Sequence, residues 1–218
     1  MKYKGEPFLS AMQFDVQDVA LQCVKRFEPL RELPAPFIYF LIQKPLACIQ
    51  IFDEERKPEI CIHQVLNQES FPVEVFEYIL LHELIHLLVV PRDVEGKHKS
   101  HPPEFWDVQK LVCPNNGFFY HYLKGTLLGV LKEDRKREGV SVGAKWKNIE
   151  YGRFLPLEKF ASATGVELPV QDRGQDVSTL KLEAILSGYG QRFALRTSTV
   201  GEVSEDDDVN KFLCQARR

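Results

Sequence analysis

Residues 82–86 read His-Glu-Leu-Ile-His. Side chains four apart on an α-helix lie about 40° apart around its axis, so His82 and His86 would point the same way. Two neutral imidazoles placed like this can bind one Zn2+ at about 2.0–2.1 Å. Glu83 sits one position on. From there it can reach a metal-bound water without being a ligand, take its proton and pass it to a leaving amine. The same five-residue pattern also occurs on buried helices whose histidines bond to backbone carbonyls. Here Phe76, Leu80, Leu84 and Leu87 line one side, and Val75, Ile79 and Val90 the other, so the helix is apolar nearly all round. Burying two imidazoles and a carboxylate on such a helix is costly unless something pairs them. A metal does that for all three.

A catalytic zinc needs a third protein ligand and an open position. The chain after the helix offers Glu95, His98, His101 and Glu104. His101 stands at the start of a second apparent helix, His-Pro-Pro-Glu-Phe-Trp, whose Phe105 and Trp106 can anchor it in a core. His98 lies among Lys97, Lys99 and Ser100 with no apolar anchor. Ordering a loose ligand costs about 1–2 kcal/mol per backbone residue, so preorganisation favours His101. Glu104 is better suited to the first turn of the helix, where a carboxylate meets the positive end of the dipole.

The run Tyr-Ile-Leu-Leu-His-Glu-Leu-Ile-His-Leu-Leu (residues 78–88), followed after a loop by His-Lys-Ser-His-Pro-Pro-Glu-Phe (residues 98–105), resembles the SprT-like zinc metallopeptidases, a group that includes the Spartan-related proteases. The ending His101 to Trp106 is also similar to that of the YgjP-like peptidases. The segment Glu59–Leu81 fits the same pattern of strand, short connection and helix. The resemblance covers residues 10–115, about half the chain. It implies a zincin-type α+β core, peptide-bond hydrolysis, His82, His86 and His101 as zinc ligands, and Glu83 as general acid and base. Pro102 stands where the family usually has Gly, and no cysteine zinc ribbon follows the core.

The elements that must hold these residues can be read from periodicity. Gln13–Phe27 has apolar residues at helical spacing, and Leu33-Pro-Ala-Pro36 breaks it. Phe37–Ile42 and Ala47–Phe52 read as strands with Pro45 between them, and Asp53–Pro58 as a charged turn. Glu59–Leu66 alternates, with Ile60 and Ile62 on one side and Cys61 and His63 on the other. Its position just before the histidine helix makes it the candidate edge for an extended substrate. His63 is expected to be a surface or satisfied histidine. Ser70 is the expected cap of a helix running to about Val90, where Pro91 stops it. Arg92–Ser100 reads as a polar loop, Glu104–Cys113 as a second helix and Phe118–Lys136 as a third. Tyr120, His121 and Tyr122 form an aromatic cluster best explained by packing. Leu180–Leu186 fits helix or strand, Arg192–Thr197 a strand, and Ser204–Asp208 a solvated acidic run before a short terminal helix.

The 218 residues carry 28 basic and 31 acidic side chains, a net charge of -3. That balance does not favour DNA as a partner, even with a local basic stretch at Lys132, Arg135, Lys136, Arg137, Lys145 and Lys147. No apolar run approaches the ~20 residues of a membrane span. The N-terminus lacks the apolar core of a signal peptide. The five cysteines form no CxxC pair, which reads as reduced cytoplasmic thiols. The expected architecture is α+β: a zincin-like core over residues 1–138, with a small mixed sheet packed on the HExxH helix. Residues 139–218 form a C-terminal extension packed on that core, since Trp146, Tyr151, Phe154, Leu155, Phe160, Phe193 and Phe212 are too apolar for a solvated tail. The expected function is a cytoplasmic zinc metallopeptidase acting on a polypeptide substrate. The alternative is a zinc-stabilised binding or DNA-associated adaptor module with little or no turnover, which would have no need of Glu83.

Overall fold

The computed structural model describes residues 8–50, 57–134, 139–149, 152–169 and 174–195. They form a mixed α+β structure with small sheets and six helices. The expected turn at Asp53–Pro58 falls largely outside the described residues. So do Arg135, Lys136, Arg137, Tyr151, Phe212, the boundary at 138, the acidic run and the terminal helix.

Helix α1 (Val16–Lys25) is capped by Asp15, whose carboxylate accepts the Gln17 and Asp18 N–H groups. Three strands follow: β1 (Phe37–Leu41), β2 (Ala47–Gln50) and β3 (Glu59–His63). Their order is β1-β3-β2, with β1 parallel and β2 antiparallel to β3. The strand expected to face substrate is therefore the central one, and the outer strand of the antiparallel pair is β2. Contiguity with the histidine helix pointed to β3. Its two neighbours are chosen by long-range pairing, which contiguity does not reveal. After His63 the chain tightens into a 3-10 turn at Gln64–Leu66, so the strand is shorter than Glu59–Leu66.

Ile60 and Ile62 are wholly buried. On the opposite face Cys61 and His63 are buried as well, and Trp146 meets the His63 ring edge-on at 5.0 Å. His63 Nδ1 accepts the Val65 N–H at 2.9 Å, capping the 3-10 turn. It is thus a satisfied buried histidine, and burial lowers its pKa to about 4.

Helix α2 (Val73–Ile85) carries the His-Glu-Leu-Ile-His sequence. Its N-cap is Pro72 and not Ser70. Phe71 N–H bonds to Gln68 C=O in a preceding turn, and the first α-type bond runs from Phe76 to Pro72. Ser70 is left in that turn, its buried Oγ without a partner among the described residues. The helix also ends before Val90. From His86 the hydrogen bonds shorten to a 3-10 pattern through Leu87 and Leu88. The tightened turn buries Leu87, Leu88 and Val89 together, which one face of a regular helix could not do.

The loop expected at Arg92–Ser100 is a hairpin, β4 (Arg92–Val94) and β5 (Lys97–Lys99). Its turn places Glu95 and Gly96 at φ 53° and 72°, the left-handed pair that a tight hairpin turn needs. Helix α3 (Pro103–Val112) follows, then α4 (Asn116–Thr126). The third helix was expected to continue to Lys136. Instead Gly129 turns at φ 78°, and β6 (Leu131–Asp134) pairs with β7 (Gly139–Val142). Gly129 accepts the left-handed conformation that ends a helix, and charge at Glu133 and Asp134 had disguised a strand.

The β6–β7 hairpin reaches the first sheet where Leu46 N–H bonds to Val140 C=O and Val142 N–H to Lys44 C=O. Helices α5 (Leu157–Thr164) and α6 (Thr179–Gly188) complete the described chain. Phe154 packs on Phe71 at 4.8 Å, and Phe160 on Tyr122 at 4.8 Å. Gly174 sits at φ 71° where a Cβ would meet the Val112 carbonyl oxygen at 2.4 Å. Leu180–Leu186 is helical, and the described part of Arg192–Thr197 forms no strand. Gly190 turns the chain out of α6, and Phe193 and Leu195 pack on the core without a ladder partner. None of the helices among the described residues is long and apolar enough to cross a membrane.

His63 gives the fold a pH dependence. An unfolded histidine titrates near 6.5 and the buried one at about 4. As pH falls, the unfolded chain takes the proton first, so stability is full above pH 6.5 and declines between 6.5 and 4. The total decline reaches about 3 kcal/mol. Urea midpoints measured from pH 7.5 to 4.5 should show it. In His63→Asn, which keeps an acceptor for Val65 N–H, the slope should be shallower.

Candidate metal centre

α2 presents His82 and His86 on one face, with ring centroids 5.4 Å apart. The chain returns through the β4–β5 hairpin, and His101 arrives just before α3. Its ring centroid lies 4.9 Å from that of His82 and 4.8 Å from that of His86. The Nε2 atoms of His82 and His101 are 3.1 Å apart. One nitrogen from each of the three rings lies within 4.8 Å of the others. This half-buried group could hold a metal ion. Two tetrahedral ligand nitrogens on one zinc stand about 3.3 Å apart, so the His82–His101 spacing already suits a shared ion. Phe105 closes the floor, its centroid 4.6–4.9 Å from all three rings. Trp106 stands 5.4 Å from His101 and is 41% exposed, which makes it a wall of the opening.

The electrostatics favour neutral donors. Burial lowers the His101 pKa to about 4. It also lowers that of His82 to about 3; the His101 charge adds to this, and a hydrogen bond to Gln109 opposes it. An imidazole must be unprotonated to bind a metal. Glu83 is 6% exposed and is not one of the donors. Burial pushes its carboxyl up to about 8, against a hydrogen bond donated by the Ile49 N–H. A carboxyl near neutrality can both accept and release a proton. A dication at the histidines would act in the opposite sense.

The other sequence candidates lie elsewhere. His98 is exposed on β5, 3.3 Å from the Asp93 carboxylate. Glu95 occupies the hairpin turn. Glu104, 1% exposed, takes a two-pronged ion pair from Arg92, with N···O distances of 2.6 and 3.0 Å. The pair ties β4 to the first turn of α3, three residues after His101. The Tyr122 hydroxyl donates to the Leu155 carbonyl, and His121 packs on Phe160, so both serve packing.

Sequence reasoning missed Gln109, Arg92 and the Ile49 N–H. Gln109 had a signal. It is a polar residue among Phe105, Val108 and Val112 on the apolar face of a helix. The Arg92 pairing and the strand amide depend on tertiary contacts that carry no local pattern.

Comparison with protein-family models, curated proteins and solved structures finds no match to this chain.

Removing Arg92 would leave a buried carboxylate without its partner. Arg92→Met should cost about 2–3 kcal/mol in urea unfolding, the worth of hydrogen bonds to a charged group. Arg92→Lys should recover less than half, because an ammonium cannot make the planar fork.

Proposed function

We propose that this chain is a zinc-dependent peptidase with a zincin-like core, in which Glu83 is the general base and acid. The observation that carries the reading is three converging imidazoles together with a buried carboxyl next in sequence to one of them, on the helix that brings two of them and outside the donor set. A structural metal site has no use for such an acid. His82, His86 and His101 would hold the zinc. When bound, zinc supplies a Lewis acid that polarises a scissile carbonyl and acidifies water at the open position.

The rest is the work of the chain itself. Glu83 takes a proton from the attacking water and delivers it to the departing amine. Phe105 and the buried face of α2 keep bulk water from the rings. β2 supports an extended substrate. His63 N–H bonds to Leu46 C=O, and antiparallel pairing alternates. The Leu46 C=O and the amide groups of Cys48 and Gln50 therefore face β3, while Ala47 and Ile49 point theirs away from it. The Ile49 N–H meets Glu83, so this edge borders the acid. A polypeptide laid along it would gain main-chain hydrogen bonds and bring a peptide bond to Glu83.

Glu83→Gln keeps the shape but cannot accept the proton. It should retain zinc and fold while losing at least about 100-fold in hydrolysis of an unfolded protein substrate. Full activity would refute the mechanism. After dialysis against a weak chelator, His101→Ala should have lost most of its zinc and His98→Ala should keep it.

A further inference from the structure

Gln109 is 1% exposed, on the buried face of α3 among Phe105, Val108 and Val112. A primary amide so deeply buried must satisfy both its ends. Its Oε1 lies 2.9 Å from His82 Nδ1. At the other end the amide nitrogen donates to the Tyr78 hydroxyl oxygen. Tyr78 is on α2, one turn before His82, and its ring packs against Phe119 at 5.8 Å. The amide is thus wedged between two residues of the histidine helix, with each end matched.

We infer that Gln109 is the positioning residue of the histidine group: its Oε1 accepts the His82 Nδ1 proton and so keeps the His82 Nε2 lone pair aimed at the metal position. The inference rests on the metal reading above and deepens it. An imidazole in its neutral form has one N–H and one lone pair. With Nδ1–H given to Gln109, the lone pair is on Nε2, the atom that faces His101 at 3.1 Å. A reversed amide would offer N–H to Nδ1 and force the proton onto Nε2, which could then bind nothing. Tyr78 accepts from the amide nitrogen and keeps the oxygen towards the ring.

The acceptor is also neutral. A carboxylate in this place would bring a further negative charge into a buried site. The amide fixes the ring without doing so, and leaves the charge of a bound cation undiminished by its neighbour. Gln109 touches neither substrate nor the reacting atoms; it acts through His82.

Two measurements on the full chain test this. In metal-free protein at neutral pH, two-bond 1H–15N correlation of labelled histidines should show His82 as the Nδ1–H tautomer; an Nε2–H tautomer would overturn the inference. Zinc affinity is then measured by competition with a chromophoric chelator. Gln109→Leu should bind about 10–100-fold more weakly. Gln109→Glu keeps an acceptor oxygen and should bind at least as tightly as the unaltered chain. A leucine variant with native circular dichroism and unchanged zinc affinity would overturn the inference, as would a glutamate variant that binds more weakly. If the unaltered chain takes up no zinc, the peptidase reading falls, while the tautomer in metal-free protein still decides the role of Gln109. If the leucine variant does not fold, the tautomer and the glutamate variant decide.

Discussion

A helix apolar nearly all round leaves little water to solvate two half-buried imidazoles and a buried carboxyl. α2 is such a helix, with Val75, Phe76, Ile79, Leu80, Leu84 and Ile85 all buried. Each of these three groups must find a partner within the protein or remain at a cost of several kcal/mol. Much of the surrounding architecture supplies those partners. β2 brings the Ile49 N–H to Glu83. α3 brings Gln109 to His82. The residue before α3's proline cap brings a third imidazole. The sheet, hairpin and second helix are thus arranged around a desolvation problem set by five residues of sequence.

α3 is gripped along its whole length. At its start Arg92 holds Glu104. At mid-helix Gln109 reaches α2, and the Asp107 carboxylate receives the Tyr189 hydroxyl at 2.5 Å. At its end Gln175 N–H bonds to Leu111 C=O, beside the close approach of Gly174. Pro102 and Pro103 stiffen the entry. A helix fixed at so many points delivers His101 with little freedom left to lose, which is what preorganises an imidazole carried on a loop of this length.

The histidine helix, the two strands after α1 and the approach of His101 were legible in the sequence because each rests on a local rule: helical spacing, alternation, proline punctuation. The errors share a cause. β3 was placed at an edge because it precedes α2 in the chain, whereas sheet order is decided by which distant strands pair. Ser70 has the chemistry of a cap but lies in the turn closed by Gln68 and Phe71. The charges after Gly129 resembled the solvated end of a helix and belong to a hairpin. In the site, the convergence of His82 and His86 followed from spacing and that of His101 from its proline-stiffened helix anchor, while the groups that meet them did not. Arg92 lay in a stretch read as loop, and a backbone N–H has no signature at all. Gln109 was visible as a polar residue on an apolar stripe, and such misfits mark where a helix is serving something besides packing.

Phe27 and Val177 form a parallel bridge, with Val177 N–H donating to Arg26 C=O and Glu28 N–H to Val177 C=O. Asp176 and the N–H of Thr179 extend the contact to Arg26 and Glu28. The bridge joins the end of the first helix to residues made long after it. Val177 leaves the ribosome about 65 residues after Val112, several seconds later at about 5–20 residues per second. For that interval the nascent chain has its histidines, its glutamate and both α2 and α3, but not the strap that closes over Phe27. Closing the fold with a late-arriving segment delays its maturation until that segment has been made.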